Sequence, residues 1–485
     1  MPVTYTHGHG ITMGPVNQIS PQGLPIFFIK DIPPASPQEE LKVTRPEIYY
    51  GEVGNDYVFV KTKSLEFDYP AGDKNVYTKY KGEGGIPMDS LLRKAAFAAY
   101  FQTTKVLMAT DIGPESRIMI NRHILQRVEK AAPFLSFDRD PYLVVSKEGR
   151  LYWIMDAYTT TRMIPYSHPS QGGNYIRNSV KVVLDAYHGR MDFYISDPED
   201  PLVQTYARIF PTLFQPLDKM PEDLRAHLRY PQDLFQLQTE MYGIYHMQDP
   251  QIFYNKEDLW NIPKRAVGGS DVQMEPYYTI MKLPGETKEE FVQLLAYTPS
   301  KRDNMSAWLA ARSDGENYGK LIVYLFPKQK LIYGPRQVDA RIDQDAVISQ
   351  QLTLWSQRGS QVIRGSLLVI PIQDSLLYIE PLYLAAEAGS LPELRRVIAV
   401  YGDRLVMEEN LETALSVLFG GRIPKAAAPG TVAAGPVREE TVGSLAARAM
   451  NHYNQAQSYL RQGNWGAYGD ELKKLEGVLR EMSKK

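Results

Sequence analysis

Asp156 and Glu380 are the two acids of this sequence best placed for a carboxylate to do chemistry. Each lies near the end of an apolar, aromatic run, Leu151-Tyr152-Trp153-Ile154-Met155-Asp156-Ala157 and Leu377-Tyr378-Ile379-Glu380-Pro381-Leu382-Tyr383. Burial there raises a carboxyl pKa unless a cation lies opposite, and Arg162, Arg177 and Lys181 are candidates for that cation. If the two acids met about 5–9 Å apart, they could form the acid–base pair of a glycoside hydrolase. The residues favour the other reading, in which both acids are partners of structural arginines where sheets pack. No nucleophile stands with a base and an orienting group. The polar run Asn174 to Lys181 adds a ligand-binding candidate: Arg162, Asn174, Tyr175, Arg177, Asn178 and Lys181 could hold a carboxylate or a glycan edge. The same groups could form a hydrogen-bonded seam that holds a loop, the commoner use of such residues.

Other chemistries find less support. Cysteine is absent, which excludes disulfides, thiolate nucleophiles and Cys-ligated metals. His7 and His9 have strand spacing suited to a metal, yet no third or fourth ligand lies near in sequence, so no metal site is expected. Gly8, Gly10 and Gly14 miss the dinucleotide spacing, and no cofactor is implied. Gly365-Ser366 lacks the nucleophile elbow. HExxH is absent, and Asp68, Asp73, Asp314 and Glu316 lack EF-hand spacing. With 54 basic against 56 acidic residues and a net charge of −2, there is no basic footprint for nucleic acid.

The elements that must position these residues follow from pattern. At 485 residues the chain exceeds one ordinary core. Residues 1–47 read as a proline- and glycine-rich arm. Strands follow over Ile48–Tyr69, then a helix of about 20 residues opened by Asp89 or Ser90, then a helix over Asn121–Ala132. Tyr142–Ser146 and Leu151–Ala157 form a hairpin, and Asn174–Ala186 and Met191–Ile195 turn at His188-Gly189, which makes a meander. Helices occupy 198–254. Tyr277–Leu283, Phe291–Thr298, Leu321–Phe326, Gln361–Pro371 and Leu376–Leu384 restore strands, with helices at Ser306–Ala311 and Asp343–Arg358. Two helices are expected in Leu391–Gly420, PELRRVIAVYG and ENLETALSVLFG. An Ala/Gly/Pro linker then leads to a tetratricopeptide-like αα-hairpin turned at Gly463-Asn464. The fold class is α+β with mainly antiparallel sheets, inserted helical segments and a C-terminal helical hairpin. The domains read as 1–197, 198–260, 261–423, a linker at 424–440 and the hairpin at 441–485. No stretch reaches about 18 uncharged apolar residues, and Met1 followed at once by motif-like sequence reads as a start made inside a longer protein.

Five stretches in order carry a resemblance: Tyr5-Thr6-His7-Gly8, Gly14-Pro15-Val16-Asn17, Thr44 to Glu52, Leu151 to Thr159, and Asn174 to Lys181. Together with the Gly463-Asn464-Trp465 hairpin they make the chain resemble uncharacterised protein family 0182, large bacterial integral-membrane proteins. The resemblance implies that several membrane spans precede a large region facing outside the membrane, and that this chain is that region. It carries no catalytic residues. The chain departs from the family's usual opening in having His9 where an aromatic residue is common, so a His7/His9 metal site is not implied by the resemblance. The expected function is an extracytoplasmic binding or structural module, with an envelope polymer or glycan hydrolase using paired carboxylates as the alternative. The expected partners are the membrane-spanning part of the same protein, an envelope polymer or protein, and a second copy through the hairpin.

Overall fold

The computed structural model describes residues 3–420 and Lys474, apart from positions 17, 21–22, 55, 171, 268–269, 358, 373–374 and 387–391. The linker and the αα-hairpin lie outside the described residues. Met1–Gly421 makes one compact unit and Arg422–Lys485 a second.

The N-terminal arm is extended because proline and glycine remove the donors and restraints that helices need. Its first strand, β1 (Gly8–His9), pairs with β2 (Glu47–Ile48). Farther along, Gly23 accepts a hydrogen bond from Leu394 N at 3.0 Å, so the arm reaches residues of the last sheet. β3 (Val58–Val60) begins a small sheet, and β4 (Glu66–Ala71) and β5 (Lys74–Thr78) form a hairpin. The register of that hairpin shifts between Phe67 and Tyr69, which makes Asp68 a bulge residue. After β6 (Ile86–Pro87), helix α1 (Leu91–Tyr100) starts where Ser90 accepts from Arg93 N. The single long helix expected here is two: Gln102 takes φ +53°, and the chain resumes as α2 (Lys105–Met108). β7 (Arg117–Met119) closes the small sheet between β3 and β6, and α3 (Ile124–Ala131) follows.

The central sheet holds β8 (Ser136–Phe137), β9 (Tyr142–Val145), β10 (Leu151–Thr161), β11 (Tyr175–Asp185) and β12 (Met191–Ile195), all joined by antiparallel ladders. Helix α4 (Pro201–Ile209) then returns the chain so that β13 (Phe214–Pro216) adds to β12 in parallel. β10 and β11 are buried on both faces. Trp153, Met155, Val180 and Val182 enter one core, and Ile154 and Val183 enter another with Leu224 of α5 (Glu222–Arg225). Two covered faces explain the unbroken apolar runs at 151–155 of β10 and 182–184 of β11. Helices α6 (Gln232–Tyr245) and α7 (Pro250–Asn255) complete the helical stretch.

The second half is built on two long strands. β14 (Trp260–Asn261) is followed by the hairpin β15 (Lys264–Val267) and β16 (Ser270–Gln273), then by β17 (Tyr277–Lys282). β18 (Glu289–Pro299) pairs with β14 and β17 and also with β19 (Ala307–Arg312), which pairs with β20 (Leu321–Leu325). Helices α8 (Pro335–Gln344) and α9 (Ala346–Trp355) lead to the last sheet. There β21 (Ser360–Arg364) and β22 (Leu368–Ile372) both pair with β23 (Ser375–Ala386), which pairs with β24 (Glu393–Tyr401), and that in turn with β25 (Arg404–Glu408). Helix α10 (Leu411–Phe419) packs on this sheet.

The α+β class with mainly antiparallel sheets holds, while three further elements, besides the split helix, differ from expectation. The stretch expected as a helix at Ser306–Ala311 is strand from Ala307 onward. Its alanines favour helix locally, but every residue of β19 is buried in the sheet, and tertiary burial overrides propensity. PELRRVIAVYG contributes β24, where Val397, Ile398 and Val400 supply the β-branched signal that the helical reading passed over. Gln361–Pro371 is two strands, separated where Gly365 N bonds Pro381 O at 2.8 Å.

Candidate functional site

Asp156 stands directly opposite Lys181 in the β10–β11 register, so both side chains leave the same face of the sheet. Lys181 is fully buried and Asp156 nearly so. The ammonium donates to Asp156 Oδ1 and, at 2.5 Å, to the hydroxyl of Tyr318. Asn178 Nδ2 donates to the same carboxylate oxygen at 2.9 Å. Burial, and after it the Asp156 charge, pushes the Tyr318 hydroxyl pKa far up, so this phenol stays neutral and serves as an acceptor for the lysine. The β10–β11 register shifts between Ala157 and Thr159. Such a bulge re-aims a side chain, here Tyr158, which joins the core of the second half and donates to Asp138. Burial raises the Asp138 carboxyl, and the Tyr158 hydrogen bond opposes that rise.

The other residues of the polar run serve separate contacts. Tyr175 donates to Asp200 at 2.6 Å and Arg177 to Asp197 at 3.0 Å. Asn174 Nδ2 donates to Ile164 O at 2.6 Å and its Oδ1 accepts from Ile164 N at 3.3 Å, which latches the loop between β10 and β11. Arg162 is exposed at the start of that loop, beyond the end of β10. The geometry therefore gathers Asp156, Asn178 and Lys181, and sends Asn174, Tyr175 and Arg177 to other partners.

Glu380 sits in a different sheet and a different network. It is fully buried in β23. Arg265 donates to it at 2.8 Å, and Arg364 makes a two-pronged contact at 2.8 Å on each oxygen. The same two arginines hold Asp339 of α8, at 2.8 Å from Arg265 and 3.2 Å from Arg364. Burial would lower the Arg265 and Arg364 pKa values, but their carboxylate partners carry both upward. Asp156 and Glu380 share no partner among the described residues.

Two further places complete the inventory. His7 and His9 meet Asp68, with His9 Nδ1 at 2.7 Å and His7 Nε2 at 3.3 Å from the same Oδ1. This corrects the expectation that no third ligand lies near: Asp68 is 59 residues from His9 in sequence, and the arm meets β4 where Phe67 N donates to Thr4 O at 2.7 Å. Among the described residues these three form the one group with metal-ligating geometry. A cleft of about 460 Å³ lies among α9, β24, β25 and α10, lined by Gln351, Arg396, Met407 and Glu408 among others. None of the residues singled out in the sequence lines it.

Sequence reasoning missed Asp138, Asp200 and Tyr318. Asp200 had a usable signal, an acid before Pro201 at a helix start. Its side chain accepts from Leu202 N and Val203 N as the cap of α4, and also from Thr159, Ser179 and Tyr175. Tyr318 had none, since it meets Lys181 from 137 residues away.

The model for "Uncharacterised protein family (UPF0182)" matches residues 2–355. A "UPF0182 protein" of Trichlorobacter lovleyi is 59% identical over 481 residues, covering 99% of this chain and 53% of the relative. "UPF0182 protein GSU2333" of Geobacter sulfurreducens is 57% identical over 482 residues, and a "UPF0182 protein" of Pelotomaculum thermopropionicum is 54% identical over 484. Each match covers 99% of this chain and 53% of the relative. The chain thus spans about half the length of the curated relatives it matches. No solved structure matches it. The relatives' names state no reaction, and what the match establishes is kinship: the chain belongs to the UPF0182 family.

Proposed function

We propose that this chain is the outward-facing region of a multi-pass bacterial membrane protein and that it works as a binding or structural module. The observation that carries the second part is the state of the two acids. A hydrolase needs carboxylates that share a cleft and can exchange protons with substrate. Here Asp156 is engaged by Lys181 and Asn178, and Glu380 by Arg265 and Arg364, in separate sheets. These are frameworks that hold sheets and helices in register. Outward placement rests on the family resemblance and accords with a chain that spans about half of its relatives. No helix of the described residues is long and apolar enough to cross a membrane, which says nothing of strands. The membrane-spanning part of the same protein is the first partner proposed, and an envelope polymer or protein the second. Self-association through residues 441–485 is a separate proposal, read from the solution mass with and without 436–485.

The test is a paired assay on the 485-residue chain with isolated envelope polysaccharide. Cosedimentation without release of new reducing ends is the expected result. Release that disappears in a folded Asp156→Asn or Glu380→Gln chain would replace this reading with the hydrolase. A topology reporter fused after residue 420 of the full-length protein reads the membrane side, and a cytoplasmic signal would overturn the placement.

A further inference from the structure

The arrangement of hydrogen-bond donors around His7 leaves one contact that protein atoms alone satisfy poorly. Thr6 gives its hydroxyl proton to Glu66 Oε2 at 2.5 Å, so its oxygen is left to accept from His7 Nδ1 at 2.9 Å. Glu66 is itself fully committed, accepting also from Tyr49 at 2.8 Å and from Tyr80 N at 3.0 Å. With its proton on Nδ1, a neutral His7 presents a bare lone pair on Nε2. That lone pair faces the carboxylate oxygen of Asp68 at 3.3 Å. His9 Nδ1 approaches the same oxygen at 2.7 Å, while its Nε2 is buried without a partner among the described residues.

We propose that His7, His9 and Asp68 bind a divalent transition-metal cation, zinc by ligand type, which fastens the N-terminal arm to the β4–β5 hairpin. Two imidazoles and a carboxylate are borderline ligands that suit zinc. Zinc bonds of about 2.0–2.1 Å set tetrahedral ligand atoms roughly 3.3 Å apart, the separation His7 and Asp68 already have; His9 needs to withdraw by about 0.6 Å from the same reference. The ligands are held by structure rather than chance. His7 and His9 lie two residues apart and so project to one side of an extended arm. Asp68 occupies the bulge of β4, a device that re-aims a side chain. The His7 side chain is fully buried, with those of His9 and Asp68 at 8% and 13% exposure. The chain Glu66–Thr6–His7 supplies the outer hydrogen bond that orients a metal-bound imidazole. Arg122 clamps the arm beside it, donating to Thr6 O and Tyr49 O at 2.7 Å each. The carboxylates of Asp68 and Glu66 give the place the negative charge that a dication needs.

The experiment uses the full 485-residue chain made without a polyhistidine tag, stripped with chelator and titrated with zinc by calorimetry. One equivalent bound, with a raised melting temperature, is expected. His9→Phe keeps a ring against Tyr69 and should weaken zinc by tenfold or more, as should Asp68→Asn. Thr6→Val, which removes only the outer hydrogen bond, should weaken it by about 10–100-fold. Equal zinc affinity in the wild-type, His9→Phe and Asp68→Asn chains overturns the proposal. So does a wild-type chain that takes up no zinc. Should the variants fail to fold, cobalt(II) absorption of the wild-type chain decides: the bands of low-coordinate nitrogen and oxygen ligation support the site, and the spectrum of free aqueous cobalt refutes it.

Discussion

Asp200 holds more of the seam together than either acid to which the apolar runs drew attention. Its carboxylate caps α4 and takes hydroxyl bonds from Thr159, Ser179 and Tyr175 of the two central strands. Burial pushes its pKa up, the three hydroxyls push it down, and the net shift is downward. A carboxyl depressed in the fold binds fewer protons folded than unfolded. Its contribution is therefore full above the ordinary value of 3.8 and is lost as pH falls through the lower folded value. Replacing Asp200 with Asn keeps a capping oxygen but removes the charge-assisted bonds, and should cost about 1.5–3 kcal/mol at neutral pH. Urea unfolding should show the gap between wild type and Asp200→Asn narrowing below pH 4 and steady above pH 5. At this scale the sequence revealed residue types but not partners. Asp68 could not be joined to His9, nor Tyr318 to Lys181, without the tertiary contacts that bring together segments 59 and 137 residues apart. The Asp156–Lys181 match required the β10–β11 register, which composition does not supply.

Among elements, the strands with strict alternation or turn punctuation were readable, and the failures were local propensity set against burial. The hairpin at 142–157 and the turn at His188-Gly189 were both found, because glycine and the polar residues beside it mark reversals. The Ala-rich β19 is a strand by virtue of the neighbours that cover it, whereas the Arg-rich start of β24 masks the β-branched signal of Val397, Ile398 and Val400. The turn between β11 and β12 offers a test of how tightly one element is specified. Gly189 has φ +70°, and a Cβ there would lie 2.4 Å from the Tyr50 ring, which Arg127 covers from 4.6 Å. Gly189→Ala should destabilise the fold by about 2–4 kcal/mol, combining left-handed strain with overpacking. A melting temperature within one degree of wild type would mean that the turn relaxes freely.

For the whole molecule, the buried ion pair is where the two halves of residues 3–420 are tied. Lys181 belongs to the central sheet, while Tyr318 follows β19 and donates onward to Arg229 O at 3.3 Å. Tyr158 and Ile176 pack into the core formed mainly by residues after 230. That continuity makes the two halves one packed body. The α+β class was visible in the block pattern of strands and helices, whereas the joining of the halves was not, because Tyr158, Tyr318 and the Arg139–Asp233 pair meet partners far away in sequence. The most direct test of Asp156 as framework is a urea-unfolding cycle of Asp156→Leu, Lys181→Met and the double variant. Each single change should lose about 3–5 kcal/mol by stranding a buried charge or its donors, and the double should lose less than either. A folded Asp156→Leu chain within about 0.5 kcal/mol of wild type, below the change a buried partner produces, would contradict the account and return Asp156 to the list of catalytic candidates.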